Sequence, residues 1–256
     1  MRGVTVLNAA LIVLAGLAAG TINTVVGSGS LITFPALLAL GYPPLVANVS
    51  NTLGLVPGGV SGAWGYRREL AGMRPLLVRL VPWSVSGGVV GAVLLLVLPS
   101  SVFDAVVVVL IAVALVLVLV QPRLSSRLRT RGPLAAPSRG RAAALSIGLF
   151  AASVYGGYFG AAQGVVYVAL LSLFLLDDLQ VANGVKNVLA TVVNGVAAVT
   201  FVLFAEPDWA VVGLVALGST LGGVLGARVG RRLPPGVLRG VIVVVGVTAI
   251  VNVALR

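Results

Sequence analysis

Lys186 is the only lysine in the chain, and it stands in the apolar stretch Val181-Ala182-Asn183-Gly184-Val185-Lys186-Asn187. An ammonium is costly in hydrocarbon, so within a membrane segment it marks a functional position by default. At steps of three and four, Asn183, Lys186, Asn187, Ala190, Thr191 and Asn194 share one helix face. That face combines amide and hydroxyl groups with one positive charge, which is chemistry suited to an oxyanion. Ahead of it, Gly160-Ala161-Ala162-Gln163-Gly164 breaks a hydrophobic run. Glycines there let the backbone turn tightly and leave amides approachable. The helix start that follows has N–H groups without intrahelical partners and the positive end of a dipole. Inside a membrane protein such a start is an anion site. Two other readings stand beside this one. Lys186 lies only about 9 Å along a helix starting near residue 180, within reach of an interface by snorkelling. The glycines could simply allow close helix packing.

The first half carries a counterpart. Gly27-Ser28-Gly29-Ser30-Leu31-Ile32-Thr33-Phe34-Pro35 opens another short apolar segment, with Ser28 and Ser30 adding hydroxyl donors. A stripe of Asn48, Asn51, Thr52, Leu55, Gly59 and Gly62 follows it. An offset of 135 residues places Asn51 at the position of Lys186 and Thr52 at that of Asn187. The same offset aligns Val46-Ala47-Asn48 with Val181-Ala182-Asn183, and Gly29 with Gly164. It also aligns Ser86-Gly87-Gly88-Val89-Val90-Gly91-Ala92 with Leu221-Gly222-Gly223-Val224-Leu225-Gly226-Ala227, and Leu98-Pro99 with Leu233-Pro234. Such self-similarity is the mark of a repeat. Asn48 and Asn183 fit the site and interhelical hydrogen bonding equally well.

The elements that must position these residues are membrane helices. The chain is 59% hydrophobic and 9% charged, with mean hydropathy +1.14. A soluble chain would carry about a quarter charged residues. Runs such as Val4–Ala19, Val102–Val120 and Val237–Leu255 can cross ~30 Å of hydrocarbon. Met1-Arg2-Gly3 before the first run resembles a signal peptide, but no clean cleavage box follows, so the run is read as a span. Each half then divides into five segments, at about 4–26, 29–41, 45–66, 75–98 and 101–121, and about 141–160, 163–177, 180–204, 208–230 and 235–255. The second of each set is too short to span comfortably.

Charge relates the halves. Arg67, Arg68 and Arg74 flank the joint between the third and fourth segments, where the second half has Glu206 and Asp208. After the fourth segment the first half is neutral, whereas the second carries Arg228, Arg231, Arg232 and Arg239. The positive-inside rule puts equivalent loops on opposite faces. The expected fold is therefore an all-α polytopic membrane protein of two inverted repeats, with short or broken helices at the centre. Residues 1–121 form the first repeat, 122–140 a basic cytoplasmic linker and 141–256 the second repeat, with both termini outside.

The net charge of +11 comes almost entirely from loop arginines, which sets topology rather than nucleic-acid binding. The chain has no cysteine and no histidine, so thiolate, haem and His-type metal chemistry are excluded. Every carboxylate falls at a segment end, which leaves no general base for an intramembrane enzyme and no acidic proton or sodium relay. No metal or cofactor is expected.

Several of these motifs resemble the sulfite exporter TauE/SafE-type transmembrane permeases. The Gly27–Pro35 stretch, then Val46-Ala47-Asn48, then Ser61-Gly62-Ala63-Trp64-Gly65-Tyr66-Arg67-Arg68, is similar to that family's first repeat. Gly156-Gly157-Tyr158-Phe159-Gly160-Ala161 and Ala182-Asn183-Gly184-Val185-Lys186-Asn187 are similar to its second. Ser28 and Gln163 interrupt the glycine runs, and Leu170 replaces the second-repeat proline, departures that bear on the substrate rather than the fold. The resemblance implies transport of a small sulfur-containing or organic anion such as sulfite, thiosulfate or sulfoacetate. The expected activity is secondary transport by alternating access in the plasma membrane, with a passive anion channel of the same fold as the alternative. The expected binding residues are Gly27, Ser28, Gly29, Ser30, Asn51, Thr52, Gln163, Gly164, Lys186 and Asn187. The expected partners are a small anion and the lipid bilayer, and a homodimer is compatible with the sequence.

Overall fold

Helix ends in this chain are set by local chemistry that the sequence displays. Thr5 caps α1 (Val6–Val25), its hydroxyl accepting the Asn8 N–H at 3.2 Å. Pro44 opens α3 (Pro44–Gly65) and Pro75 lies in the first turn of α4 (Arg74–Val97), where a missing N–H costs nothing. Asp178 caps α8 (Leu179–Phe204) through the N–H groups of Gln180 and Val181. Asp208 does the same for α9 (Trp209–Arg228) through Ala210 and Val211. The remaining helices are α2 (Ser30–Ala39), α5 (Ser100–Arg129), α6 (Arg139–Tyr158) and α7 (Gln163–Phe174).

These elements come from a computed structural model that describes residues 5–129, 139–176, 178–228, 240, 242–244 and 247. Among the described residues there is no strand. Among the same residues, five helices are long and apolar enough to cross a membrane: α1, α4, α5 over Ser100–Val120, α8 and α9. As expected, α2 and α7 are short, with 10 and 12 residues. At 1.5 Å per residue they cover roughly half of a ~30 Å core. Two boundaries differ from expectation. The apolar run of α5 ends at Val120, but the helix itself continues to Arg129, and α6 begins at Arg139. Apolar patterning marks where a span ends, whereas the helix carries on past it, here even through Pro122. Met1-Arg2-Gly3, Arg131, Asp177, Arg231, Arg232, Leu233-Pro234 and Arg239 lie outside the described residues, as does most of the segment at 235–255.

Small residues set the packing. Ideal Cβ atoms on Gly16 of α1 and Gly222 of α9 would stand 2.9 Å from the Val215 carbonyl oxygen and 2.8 Å from the Thr21 nitrogen. The backbones of α1 and α9 therefore touch, the close approach that drives membrane helices together where lipid removes the hydrophobic term. Hydroxyls add ties, Thr21 of α1 to the Gly222 carbonyl of α9 at 3.1 Å, and Ser219 of α9 to the Gly54 carbonyl of α3 at 2.7 Å. Gly222→Val is expected to abolish monodisperse, folded protein, read by size-exclusion chromatography of solubilised membranes, because no flexible side chain can yield there.

The register of these contacts gives direction. Gly16, Gly20 and Thr24 of α1 meet Val215, Ser219 and Gly226 of α9 in ascending order. Gly54, Gly58 and Gly65 of α3 meet Val215, Ser219 and Ala227 likewise. Both α1 and α3 thus run parallel to α9, so α2 must bring the chain back between them. In the other half, Gly148, Ser153 and Gly156 of α6 meet Leu170, Tyr167 and Gln163 of α7 in descending order. Helix α7 folds back along α6 as an antiparallel hairpin. A further parallel pair joins α4 to α6, through Gly87 on Ser153 and Gly91 on Val154.

Charge separates along the bundle. Gly65 touches Ala227, which gathers Arg67, Arg68 and Arg228 at one end. At the other, the Asp208 N–H donates to Ser50 at 2.9 Å. Burial and the nearby Asp208 charge raise the Tyr42 phenol above its ordinary pKa there.

Candidate functional site

The two breaks meet. Helix α1 stops because Gly27, at φ +88°, turns the chain out of the helix and donates its N–H to Ile22 five residues back. Helix α6 stops the same way, with Gly160 at φ +76° donating to Tyr155. Both φ values lie in the region that favours glycine. Ala162 follows at φ +59°, a conformation that costs an alanine roughly 1–2 kcal/mol. Between the halves, the Gly164 N–H donates to the Gly27 carbonyl at 3.0 Å. A Cβ on either glycine would collide with the Cα of the other.

Lys186 reaches this junction. Its stem lies alongside both glycines, and a Cβ on Gly164 would stand 2.8 Å from Lys186 Cδ. The side chain is fully buried, so the ammonium does not snorkel. Its Nζ donates to the carbonyls of Asn23 at 3.0 Å and Thr24 at 3.1 Å. Asn187 Nδ2 donates to the same Thr24 carbonyl at 3.2 Å. These carbonyls belong to the last turn of α1, where helical C=O groups have no intrahelical donor and the dipole is negative. The charge is thus met by oxygen dipoles of the first half.

The first-half stripe is bonded differently. Asn51 is buried, donating from Nδ2 to Ser30 Oγ at 3.1 Å and accepting from Thr33 Oγ1. Those bonds pin α3 to the start of α2. Thr52 Oγ1 back-bonds to the Asn48 carbonyl of its own helix at 2.9 Å. Asn48 Nδ2 crosses to the Tyr158 carbonyl at the end of α6, at 3.0 Å. This realises the interhelical reading of Asn48, which holds the end of α6 much as Asn187 holds the end of α1. Gln163 Nε2 donates to Tyr167 Oη at 2.7 Å, and Tyr167 Oη in turn bonds Ser153 at 2.7 Å. Ser28 Oγ is fully buried and bonds to no described group. An unpaired hydroxyl in such surroundings is costly unless something else meets it.

All ten expected residues are buried. Gly27, Gly164, Lys186 and Asn187 converge on the end of α1, while Ser30 and Asn51 join α2 to α3. Gln163 faces Tyr167, and Thr52 faces its own helix. The described hydrogen bonds do not join Asn51 or Thr52 to Lys186 or Asn187. The stripes touch at Thr191 and Gly59, where a Cβ on the glycine would meet the threonine side chain. An edge-on ring pair, Phe34 on Phe159 with centroids 5.2 Å apart, packs beside the second break.

A family model described as "Sulfite exporter TauE/SafE" matches residues 12–253. The chain belongs to the sulfite exporter TauE/SafE family. This family member is 28% identical over 217 residues to a "Probable membrane transporter protein" of Haemophilus influenzae, covering 83% of this chain and 81% of that protein. It is 28% identical over 219 residues to the "Probable membrane transporter protein YfcA" of Escherichia coli K12, covering 84% and 76%. A "Probable membrane transporter protein ORF9" of a Sinorhizobium species is 28% identical over 247 residues, covering 93% and 89%. No solved structure matches this family member.

Some partners at the junction were missed by sequence reasoning. Asn23 and Thr24 serve through backbone carbonyls, which any residue type supplies. Thr33 and Tyr167 do have polar side chains in apolar helices, and pairing every such side chain with its nearest break would have found both.

Proposed function

We propose that this family member is a secondary transporter of a small anion, a sulfur-containing oxyanion or organosulfonate of the sulfite, thiosulfate or sulfoacetate kind. It works by alternating access in the plasma membrane. The observation that carries the reading is the fully buried Lys186 ammonium beside the touching breaks at Gly27 and Gly164. The family description names sulfite export, and the relatives' names indicate membrane transport. An arriving anion would draw Lys186 Nζ off the α1 carbonyls and meet the unpaired Ser28 hydroxyl. The halves are inverted repeats on this reading, which the exchange of partners supports. Helix α1 packs on α9 as α6 packs on α4, and α3 on α9 as α8 on α4. The end bearing Arg67, Arg68 and Arg228 is cytoplasmic by the positive-inside rule.

The test is counterflow in proteoliposomes. Vesicles preloaded with unlabelled thiosulfate or sulfite should take up the labelled anion faster than empty vesicles, with saturation. Uptake that rises linearly with concentration and shows no trans-stimulation would instead assign a passive channel.

A further inference from the structure

Two cavities adjoin at the arginine end of α3. The first, of about 370 Å³, is polar, and its wall includes Arg67, Arg68, Arg228 and a single acidic residue, Glu69. The second, of about 380 Å³, is an apolar groove on the flank of the bundle between α3 and α8. Val60, Ala63 and Leu70 wall one side, and Val188, Thr191 and Val192 the other. Trp64 and Arg67 belong to both cavities. Trp64 is 70% exposed, and Arg67 lies 5.5 Å over its ring while donating to the Trp64 carbonyl at 3.3 Å. Tryptophan belongs at the headgroup level of a bilayer, and a stacked guanidinium is preorganised for phosphate. A basic cavity therefore opens beside an apolar one, at the depth where a lipid headgroup meets its chain.

We propose that this paired cavity binds one anionic phospholipid, its phosphate on Arg67, Arg68 and Arg228 and an acyl chain in the α3–α8 groove. Charge complementarity selects an anion, and the apolar groove beside it selects an amphiphile over a free ion. The occupant would act on the transport helices directly. Thr191 in the groove wall donates to the carbonyl of Asn187, the residue after Lys186, at 2.7 Å, and it packs against Gly59 of α3. A chain in the groove would hold α3 and α8 at a set separation, independently of which anion is carried.

The test compares thermal unfolding and native mass spectra of the purified protein in phosphatidylcholine nanodiscs, with and without phosphatidylglycerol. Wild type should gain stability from phosphatidylglycerol and retain a bound copy. Arg67→Gln removes a charge-assisted contact and should weaken that lipid about tenfold or more. Val188→Trp, which fills the groove, should remove the gain while leaving the midpoint in phosphatidylcholine unchanged. Arg79→Gln, an exposed arginine that lines neither cavity, should keep the full response. Equal stabilisation by phosphatidylcholine, an undiminished response in Arg67→Gln or Val188→Trp, or the same gain from sulfate without phosphatidylglycerol would overturn the assignment.

Discussion

Lys186→Met is expected to fold normally, with a thermal midpoint equal to or above wild type, while its affinity for the carried anion falls about 10- to 100-fold. Opposing terms decide the stability sign. Losing the ammonium leaves the Asn23 carbonyl without its donor, at about 1–3 kcal/mol. The Thr24 carbonyl keeps the Asn187 amide. Against this, methionine no longer has to bury a charge, a penalty of several kcal/mol even after relaxation. The affinity loss follows from one charge-assisted hydrogen bond at roughly 1.5–3 kcal/mol. Arginine should not rescue it, because its planar head needs more room than the stem has beside Gly27 and Gly164. Calorimetric titration with sulfite or thiosulfate reads the affinity, and a melting curve reads the fold. Unimpaired binding would remove Lys186 from the site, and a large drop in melting temperature would make it a structural strut for α1.

Gly27→Ala is expected to do the reverse and destabilise by about 2–5 kcal/mol. Holding alanine at φ +88° costs roughly 1–2 kcal/mol. Crowding a Cβ onto the Gly164 backbone adds about 1–3 kcal/mol, since a backbone cannot rotate aside. Against a total stability of about 5–15 kcal/mol, that is a large share. Gly72 supplies the control, with φ +79° and nothing within 4 Å of its Cβ position. Gly72→Ala should cost only the conformational part, about 1–2 kcal/mol. Denaturation of the two variants in one detergent would separate strain from crowding, and equal losses would show that the contact between the breaks contributes nothing.

The breaks were readable in the sequence because glycine alone adopts positive φ at little cost, and Gly27 and Gly160 both sit there. Lys186 was readable because a charge in an apolar run has few explanations. The lengths of α2 and α7 followed from the glycines ahead of them. The partners of Lys186 were not readable. Carbonyls of Asn23 and Thr24 look like those of any residue, and only the third dimension brings them to α8. Asn51 illustrates the same limit. Its alignment with Lys186 suggested a matching role, yet Ser30 and Thr33 lie close enough to satisfy its amide within the first half. The extension of α5 to Arg129 was hidden because hydropathy reports solvent, and a helix can leave the membrane without ending.

The pairing of α1 with α9 also governs how the chain is made. Thr21 and the Gly222 carbonyl that it bonds are 201 residues apart. Helix α1 leaves the ribosome long before α9 and must wait for it before its glycine face is filled. Helix α3 waits for the same partner, whereas α4 finds α6 much sooner. A nascent chain stalled after α8 would hold two unfilled faces in the bilayer, which is an invitation to mispairing and proteolysis. Insertion of α9 is the step that fills the faces of α1 and α3, and variants on its glycine face should be lost during biosynthesis rather than in the finished protein.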